Sequence, residues 1–360
     1  MDTGEFIFDK PATELPPGII NVSAPSNIAL VKYWGKHGMQ LPSNPSLSFT
    51  LTESRTHTRI AYTPATHTSG KVEFDISYRG KPVPAFRKKT GMFFDRISPY
   101  VPFVKHYRWS IDTYNTFPHS SGIASSASAM AALAAGVMEI EKKINPGMSE
   151  EYLKLKTSFL ARLGSGSASR SVSGPVMVWG EHPSIPGTSD LYAVPFPLRI
   201  HRNFEGYRDT ILIIEEGVKQ VSSTAGHRLM NGHPFAQARF EQANRNMERL
   251  SAILRQGDLD GFVQLVEGEA LTLHALMMSS KEHYILMREG TLAVLHKTRK
   301  FRRDTGIPLC FTLDAGANVH LLYPPGNADK VSAFIHDELL EYTTGIRYID
   351  DRMGEGITCR

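Results

Sequence analysis

A strand-like stretch at 108–113 is joined to a run almost free of helix breakers at 124–140 through the segment Pro118-His-Ser-Ser-Gly-Ile-Ala-Ser-Ser-Ala-Ser-Ala-Met-Ala-Ala-Leu-Ala-Ala-Gly136. Nearly every side chain in it is small. Alanine carries the lowest helix-forming cost, so 124–140 is expected to be a buried helix. Small side chains upstream let the backbone wrap closely around a ligand. The free N–H groups of the first helical turn then face that ligand, where the helix dipole favours negative charge. Ser125 and Ser126 add hydroxyl donors, and Ser120, Ser121 and Gly122 lie in the approach. The segment suits a phosphate cradle. It is not a P-loop, because no Gly-Lys-Ser/Thr follows. The same composition would also serve an Ala/Ser-rich helix packed tightly in a core.

The 360 residues suffice for one large or two medium domains. A hydrophobic content of 41% with 21% charged residues fits a soluble globular chain. No apolar run approaches the ~20 residues that span a bilayer, and the first residues do not read as a signal peptide. With only Cys310 and Cys359, a disulfide framework is not expected and a reducing, cytoplasmic home is. The net charge of +4 is mild. The basic clusters at 87–89 and 297–303 read as solvated helix faces. Neither nucleic acid nor membrane is indicated as a partner, whereas anionic small molecules fit.

Alternating or β-rich stretches predict strands at 19–22, 56–62, 71–78, 108–113 and 176–179. A helix is expected over 150–162, with Ser149 as its N-cap. The proline- and glycine-rich stretch 180–197 marks a boundary, dividing the chain into domains 1–190 and 191–360. Beyond it come a strand at 210–214 and helices over 235–255, 259–278 and 288–303. Strands at 309–313 and 319–323, a helix at 327–342 and a strand at 346–349 complete the pattern. Strands and helices mix in both halves, which predicts an α+β protein.

Three further segments carry chemistry. Gly164-Ser-Gly-Ser-Ala-Ser-Arg-Ser171 surrounds one arginine with hydroxyls. A guanidinium can grip a carboxylate or phosphate through two parallel hydrogen bonds. A flexible serine linker would look similar. Ser23-Ala-Pro-Ser-Asn-Ile-Ala-Leu-Val-Lys-Tyr-Trp-Gly-Lys36 gathers Asn27, Lys32, Tyr33 and Lys36 as anion-binding groups, or as an edge strand with snorkelling lysines. Phe311-Thr-Leu-Asp-Ala-Gly-Ala-Asn318 sets Asp314 between an apolar strand and a glycine turn, as a general base or a turn former.

Taken in order, these segments resemble those of the diphosphomevalonate decarboxylases, in the GHMP kinase superfamily. Leu41-Pro-Ser-Asn-Pro-Ser-Leu-Ser48 and Val221-Ser-Ser-Thr-Ala-Gly226 extend the similarity across most of the chain. The resemblance implies a two-domain GHMP kinase fold. Its N-terminal half would be a ribosomal-protein-S5-domain-2-like α/β domain, its C-terminal half a ferredoxin-like domain, and the site would lie in the cleft between them. It implies phosphorylation of a tertiary hydroxyl by Mg-ATP, followed by loss of phosphate and carbon dioxide to give isopentenyl diphosphate. Asp314 matches the catalytic aspartate. Arg170 and Asn27 match the residues that hold the substrate carboxylate, and Lys32 would neutralise charge near Asp314 or the transferring phosphoryl. Tyr33, Lys36, Ser165 and Ser167 would grip substrate phosphate. Ser120, Ser121, Gly122, Ser125 and Ser126 would hold ATP phosphates. A homodimer is implied as well.

The chain departs from the family pattern in places. Pro118-His-Ser-Ser-Gly122 replaces Pro-Thr-Ala-Ala-Gly, Pro45 replaces a serine in Asn-Ser-Ser-Leu-Ser, Ser169 replaces a cysteine, and Ala317 replaces a proline. None removes a catalytic group, but together they open the choice between diphosphate, monophosphate and other mevalonate derivatives. Arg87 or Arg96 is a candidate for the distal phosphate. A C3 kinase without decarboxylation would form ADP without carbon dioxide. A non-catalytic protein on this scaffold would lack Asp314 or the phosphate loop, and both are present.

Overall fold

The computed structural model describes residues 3–10, 14–65, 70–118, 123–216, 223–345 and 347–360, with the backbone alone for 223 and 224. In the first half come β1 (Gly18–Val31), the short pair β2 (Lys36–His37) and β3 (Leu41–Pro42), β4 (Ser46–Pro64), β5 (Glu73–Tyr78) and β6 (Lys81–Pro82). Then follow α1 (Pro84–Ile97), β7 (Tyr107–Asn115), α2 (Ser125–Ile144), α3 (Glu150–Gly164), β8 (Val176–Trp179) and β9 (Ala193–Pro195). The second half runs β10 (Arg208–Leu212), α4 (Ser223–Arg228), α5 (Ala236–Gln256), α6 (Leu259–Met278), α7 (Glu289–Thr305), β11 (Cys310–Thr312), β12 (Val319–Tyr323), α8 (Ala328–Phe334), β13 (Tyr348–Arg352) and β14 (Thr358–Cys359).

The first sheet has the order β14-β1-β4-β7-β5-β6, with β8 and β9 branching from β4. Pairing is antiparallel throughout except for β5 with β7. Helices α2 and α3 cover one face around Ile60, Trp109, Met130, Ala134 and Phe159. At Gly136 any Cβ would collide with Ile60, so α2 lies close against the sheet. The second sheet, β11-β12-β10-β13, is antiparallel.

A second cluster joins the halves. Ile28, Leu30, Val31, Leu47 and Phe49 of β1 and β4 pack on Phe204, Ile211, Met247 and Phe262. Beside it the buried Asp351 carboxylate accepts N–H bonds from Thr52 (2.9 Å), Glu53 (2.8 Å) and Ser54 (2.7 Å). Those amides fall where the β1–β4 ladder is interrupted between Asn27↔Thr50 and Pro25↔Arg55. A buried backbone N–H must find a partner, and one carboxylate serves three.

The sequence expectations are adjusted in several places. The strand expected at 19–22 is the start of a fourteen-residue strand that also carries Asn27. Helix α1 escaped the sequence reading, although Pro84 stands at its first position, where a missing N–H costs nothing. The helix expected at 327–342 is broken: α8 gives way to a wider turn at Ile335–Leu339 and a tight one at Leu340–Tyr342. Ser149 caps α3, accepting from the Tyr152 N–H at 3.1 Å. The basic cluster at 297–303 is not wholly solvated, since Arg299 and Arg302 bind the buried Glu267 at 3.1 and 2.7 Å. Among the described residues no helix is long and apolar enough to cross a membrane.

Candidate active site

Where β1 ends, the chain turns beneath the second half. Lys32 is buried there, and its main chain is held from both sides. Its N–H donates to Glu269 Oε2 at 2.8 Å. Its carbonyl accepts from Asn44 Nδ2 and Arg239 Nη2, both at 3.0 Å. Glu269 on α6 and Arg239 on α5 form a buried, doubly bonded pair at 2.6 and 2.8 Å, and Asn246 donates to the same carboxylate at 2.6 Å. The side chain of Lys32 is thereby aimed at Asp314, with Nζ 3.3 Å from Oδ1. Burial lowers the Lys32 pKa, while the charges of Asp314 and Glu269 oppose that shift.

Asp314 follows β11 at the head of a turn whose carbonyl accepts the Gly316 N–H at 2.8 Å and a His274 Nε2 bond at 3.1 Å. Across from it stands Arg170, on the tight helical turn Gly166–Ser171 that follows α3. Arg170 is 2% exposed, and no carboxylate lies within 4.0 Å of it among the described residues. It donates to Ser46 Oγ and, at 3.4 Å, to Asn27 Oδ1, while its Nε has no partner. Burial pulls its guanidinium down to about 10. Asn27 is oriented by bonds to Ser171 Oγ at 2.8 Å and the Ser167 carbonyl at 3.2 Å.

One cavity is lined by Asn27, Lys32, Tyr33, Ser126, Ser165, Ser167, Arg170 and Asp314, together with Trp34, Ala124, His227 and Leu273. The structure thus gathers these eight sequence-predicted residues from segments nearly 290 positions apart. Tyr33 has a buried hydroxyl without a partner among the described residues, and burial raises its pKa. Lys36 and Ser125 do not line the cavity. Lys36 Nζ donates to Gln40 Oε1 at 2.8 Å, and burial with the charges of Arg96 and Arg228 lowers its pKa. Arg96 lies near enough to act on Lys36, and Arg87 sits beside Asp75 at 3.6 Å. The Ser125 hydroxyl is buried at the start of α2 without a partner among the described residues. Ser120, Ser121 and Gly122 lie outside the described residues.

Sequence reasoning missed His227, His274, Lys89 and the Glu269–Arg239 pair. Lys89 of α1 donates to Ser126 Oγ, so the cluster at 87–89 reaches the start of α2. His227 was within reach of a motif reading that stopped at Gly226. Glu269 and Arg239 lie 30 residues apart on two helices, with no local signal to join them. Among the described residues, no group of three metal-binding side chains is assembled.

Residues 24–191 match the family model for the diphosphomevalonate decarboxylase-like N-terminal domain, and 210–356 that for the mevalonate 5-diphosphate decarboxylase C-terminal domain. A diphosphomevalonate decarboxylase of Ganoderma lucidum is 30% identical over 87% of this chain and 80% of its own length. A phosphomevalonate decarboxylase of Haloferax volcanii is 26% identical over 86% of this chain and 89% of its own. Among solved structures, MDDEF in complex with MVAPP, AMPPCP and magnesium superimposes with a TM-score of 0.80. It is 26% identical and covers 96% of this chain and 99% of its own. Mevalonate diphosphate decarboxylase from Staphylococcus aureus gives a TM-score of 0.80 at 28% identity, covering 96% and 98%. The fold is that of the two-domain GHMP kinases, with an α/β first half and a ferredoxin-like second half. The chain belongs to the diphosphomevalonate decarboxylase family.

Proposed function

We propose that this protein catalyses the ATP-dependent decarboxylation of (R)-5-diphosphomevalonate to isopentenyl diphosphate, releasing ADP, phosphate and carbon dioxide, within the mevalonate route to isoprenoids. The observation that carries the reading is the buried Arg170 cation, without a carboxylate of its own and facing the Lys32–Asp314 pair across one cavity. A buried charge needs a partner, and a substrate carboxylate supplies it.

In this reading Asp314 accepts the proton of the C3 hydroxyl as that oxygen takes the γ-phosphoryl group of ATP. Lys32, 3.3 Å from Asp314, neutralises charge near that carboxylate and the transferring phosphoryl group. Arg170 and Asn27 hold the carboxylate. The C3–O bond then breaks, phosphate leaving with the bonding pair. The C1–C2 pair becomes the new double bond as carbon dioxide departs. Tyr33, Lys36, Ser165 and Ser167 grip the substrate phosphates.

ATP phosphates fit the start of α2, where the orphaned Ser125 hydroxyl and the small residues Ala124 and Ala127 leave room and donors. Ser126 lines the same cavity, and in this reading Ser120, Ser121 and Gly122 contact ATP phosphates as well. Ser125 and Ser126 at the start of α2 would stand beside Mg2+ delivered with the nucleotide, and the ion would supply neutralisation of phosphate charge. Residues 1–190 supply the phosphate loop and carboxylate clamp, and 191–360 supply Asp314. The reading extends to a homodimer, checked by sedimentation. It also extends to a cytoplasmic location, which fits the free thiols of Cys310 and Cys359, and to no nucleic-acid or membrane partner.

The test is stoichiometry. With 5-diphosphomevalonate and Mg-ATP, one ADP should appear per carbon dioxide. ADP without carbon dioxide would make the protein a C3 kinase. The likeness to the Haloferax volcanii phosphomevalonate decarboxylase gives a second reading, in which the substrate is the monophosphate. Running the same assay with 5-phosphomevalonate separates the two by kcat/KM.

A further inference from the structure

His227 has no part in the roles above, yet it is 7% exposed and lines the same cavity. Its ring lies against Tyr33, with centroids 4.1 Å apart, and against Trp34 at 5.0 Å. Nδ1 accepts the Gly35 N–H at 3.1 Å. Gly35 has a φ of +94°, and a Cβ added there would meet Phe240 at 2.9 Å and Ser43 at 3.1 Å, so the position suits glycine alone. With Nδ1 committed as an acceptor, the neutral ring carries its proton on Nε2. That N–H has no protein partner among the described residues. Burial, with the charges of Lys36 and Arg170, pulls the imidazole down to about 3, so it is neutral at working pH.

We propose that His227 is a specificity-determining residue, donating its Nε2–H to the phosphate end of the mevalonate-type substrate. Two observations choose that end. The ring packs on Tyr33, one of the phosphate-gripping groups, and Lys36 is the charge that acts on it most strongly. The carboxylate end is already served by Arg170 and Asn27, which bond one another at 3.4 Å. A neutral donor adds no charge to a corner already holding Lys36, Arg96 and Arg228. It rewards an anionic oxygen at one place, and so selects by geometry rather than by net charge. The proposal rests on the functional reading above.

Two substitutions separate the ring nitrogens. His227→Asn keeps an acceptor near Nδ1 for Gly35 but loses the donor. His227→Gln keeps a donor near Nε2 and loses the acceptor. Affinity for 5-diphosphomevalonate, measured by calorimetry and as KM with KM for ATP as reference, should weaken roughly 10-fold or more in His227→Asn and at most about 3-fold in His227→Gln, as expected for one hydrogen bond to a charged group. The opposite order would mean the ring only braces Gly35 and would overturn the proposal, as would equal affinities. Wild-type protein without turnover would overturn the functional reading and this proposal together. Normal wild-type turnover with indifferent variants would overturn this proposal alone. Should either variant fail to fold, imidazole 15N spectra of the wild type decide. Adding 5-diphosphomevalonate should move the Nε2–H resonance, and an unmoved resonance would overturn the assignment.

Discussion

Two buried guanidinium groups near Lys32 stand in contrasting circumstances. Arg239 is bonded twice to Glu269, whereas Arg170 bonds only neutral oxygens among the described residues and faces a cavity. Removing water from a charge is costly unless a counter-charge replaces it. Arg239 has that counter-charge in the folded chain, and Arg170 is left to find it in a ligand. Arg170→Lys keeps the charge and loses the planar fork. Turnover should fall steeply with the circular dichroism spectrum unchanged, and near-normal kinetics would reduce Arg170 to a structural group. Asp314 makes the complementary case. It should act as the proton transfers and not when substrate docks, so its loss belongs in kcat. Asp314→Asn keeps the shape and some hydrogen bonding. We expect a fall of at least ~100-fold in kcat, in line with general-base contributions, with both KM values within a few-fold. Retained turnover would leave this aspartate a turn residue.

Helices α5 and α6 hold the end of β1, and α6 also lends Leu273 to the cavity wall. Their Arg239–Glu269 pair bonds both peptide groups of Lys32, which makes them positioning residues. Glu269→Ala leaves Arg239 buried and unpaired, a loss of about 3–5 kcal/mol by analogy with other broken buried pairs. Replacing both by apolar residues, Arg239→Met with Glu269→Leu, should recover part of that stability. Turnover should stay low, because the Lys32 N–H has lost Glu269 and its carbonyl keeps only Asn44 among the described residues. Denaturation and kcat measured on both variants would then diverge; parallel recovery would mean the pair only stabilises the fold. The same pair explains what a linear reading could see. Asn27, Lys32 and Arg170 were legible because hydroxyl, amide and cation crowd into short segments of β1 and the turn after α3. Glu269 and Arg239 were not, since each reads as an ordinary helix-face charge until the helices pack. The length of β1 was hidden too, because Pro25 interrupts the alternation that marks a strand, and β14 completes its pairing from the far end of the chain.

At the scale of the molecule, two halves meet over a core that contains charge, and this makes stability depend on pH. His227 packs against Tyr33, Trp34 and Gly35 of the first half, and His274 lies beneath the Asp314 turn at 1% exposure. Burial lowers both, His227 to about 3 and His274 to about 4. For His274 the bond to the Asp314 carbonyl and the Asp314 charge oppose the shift, and Lys32 adds to it. In the unfolded chain both imidazoles take protons as pH falls below about 6.5. From there down to about pH 4 the unfolded chain binds more protons than the folded one. Stability from these groups is therefore fully present above pH 6.5 and lost on acidification, by roughly 1.4 kcal/mol per pH unit for each histidine once its unfolded form is protonated. The buried Glu141 and Asp209 work against this trend, since burial raises their pKa and the folded state keeps their protons to higher pH. The histidine contribution is therefore read as a difference. Chemical denaturation of wild type, His227→Asn and His274→Asn between pH 7 and 5 should give a shallower acid slope for each variant than for wild type. Removing one titrating imidazole takes up to one proton from the difference bound on unfolding, whatever the variant does to stability at pH 7. Slopes equal to wild type in both variants would mean that these imidazoles already accept protons in the folded protein, and that the junction of the two halves admits water.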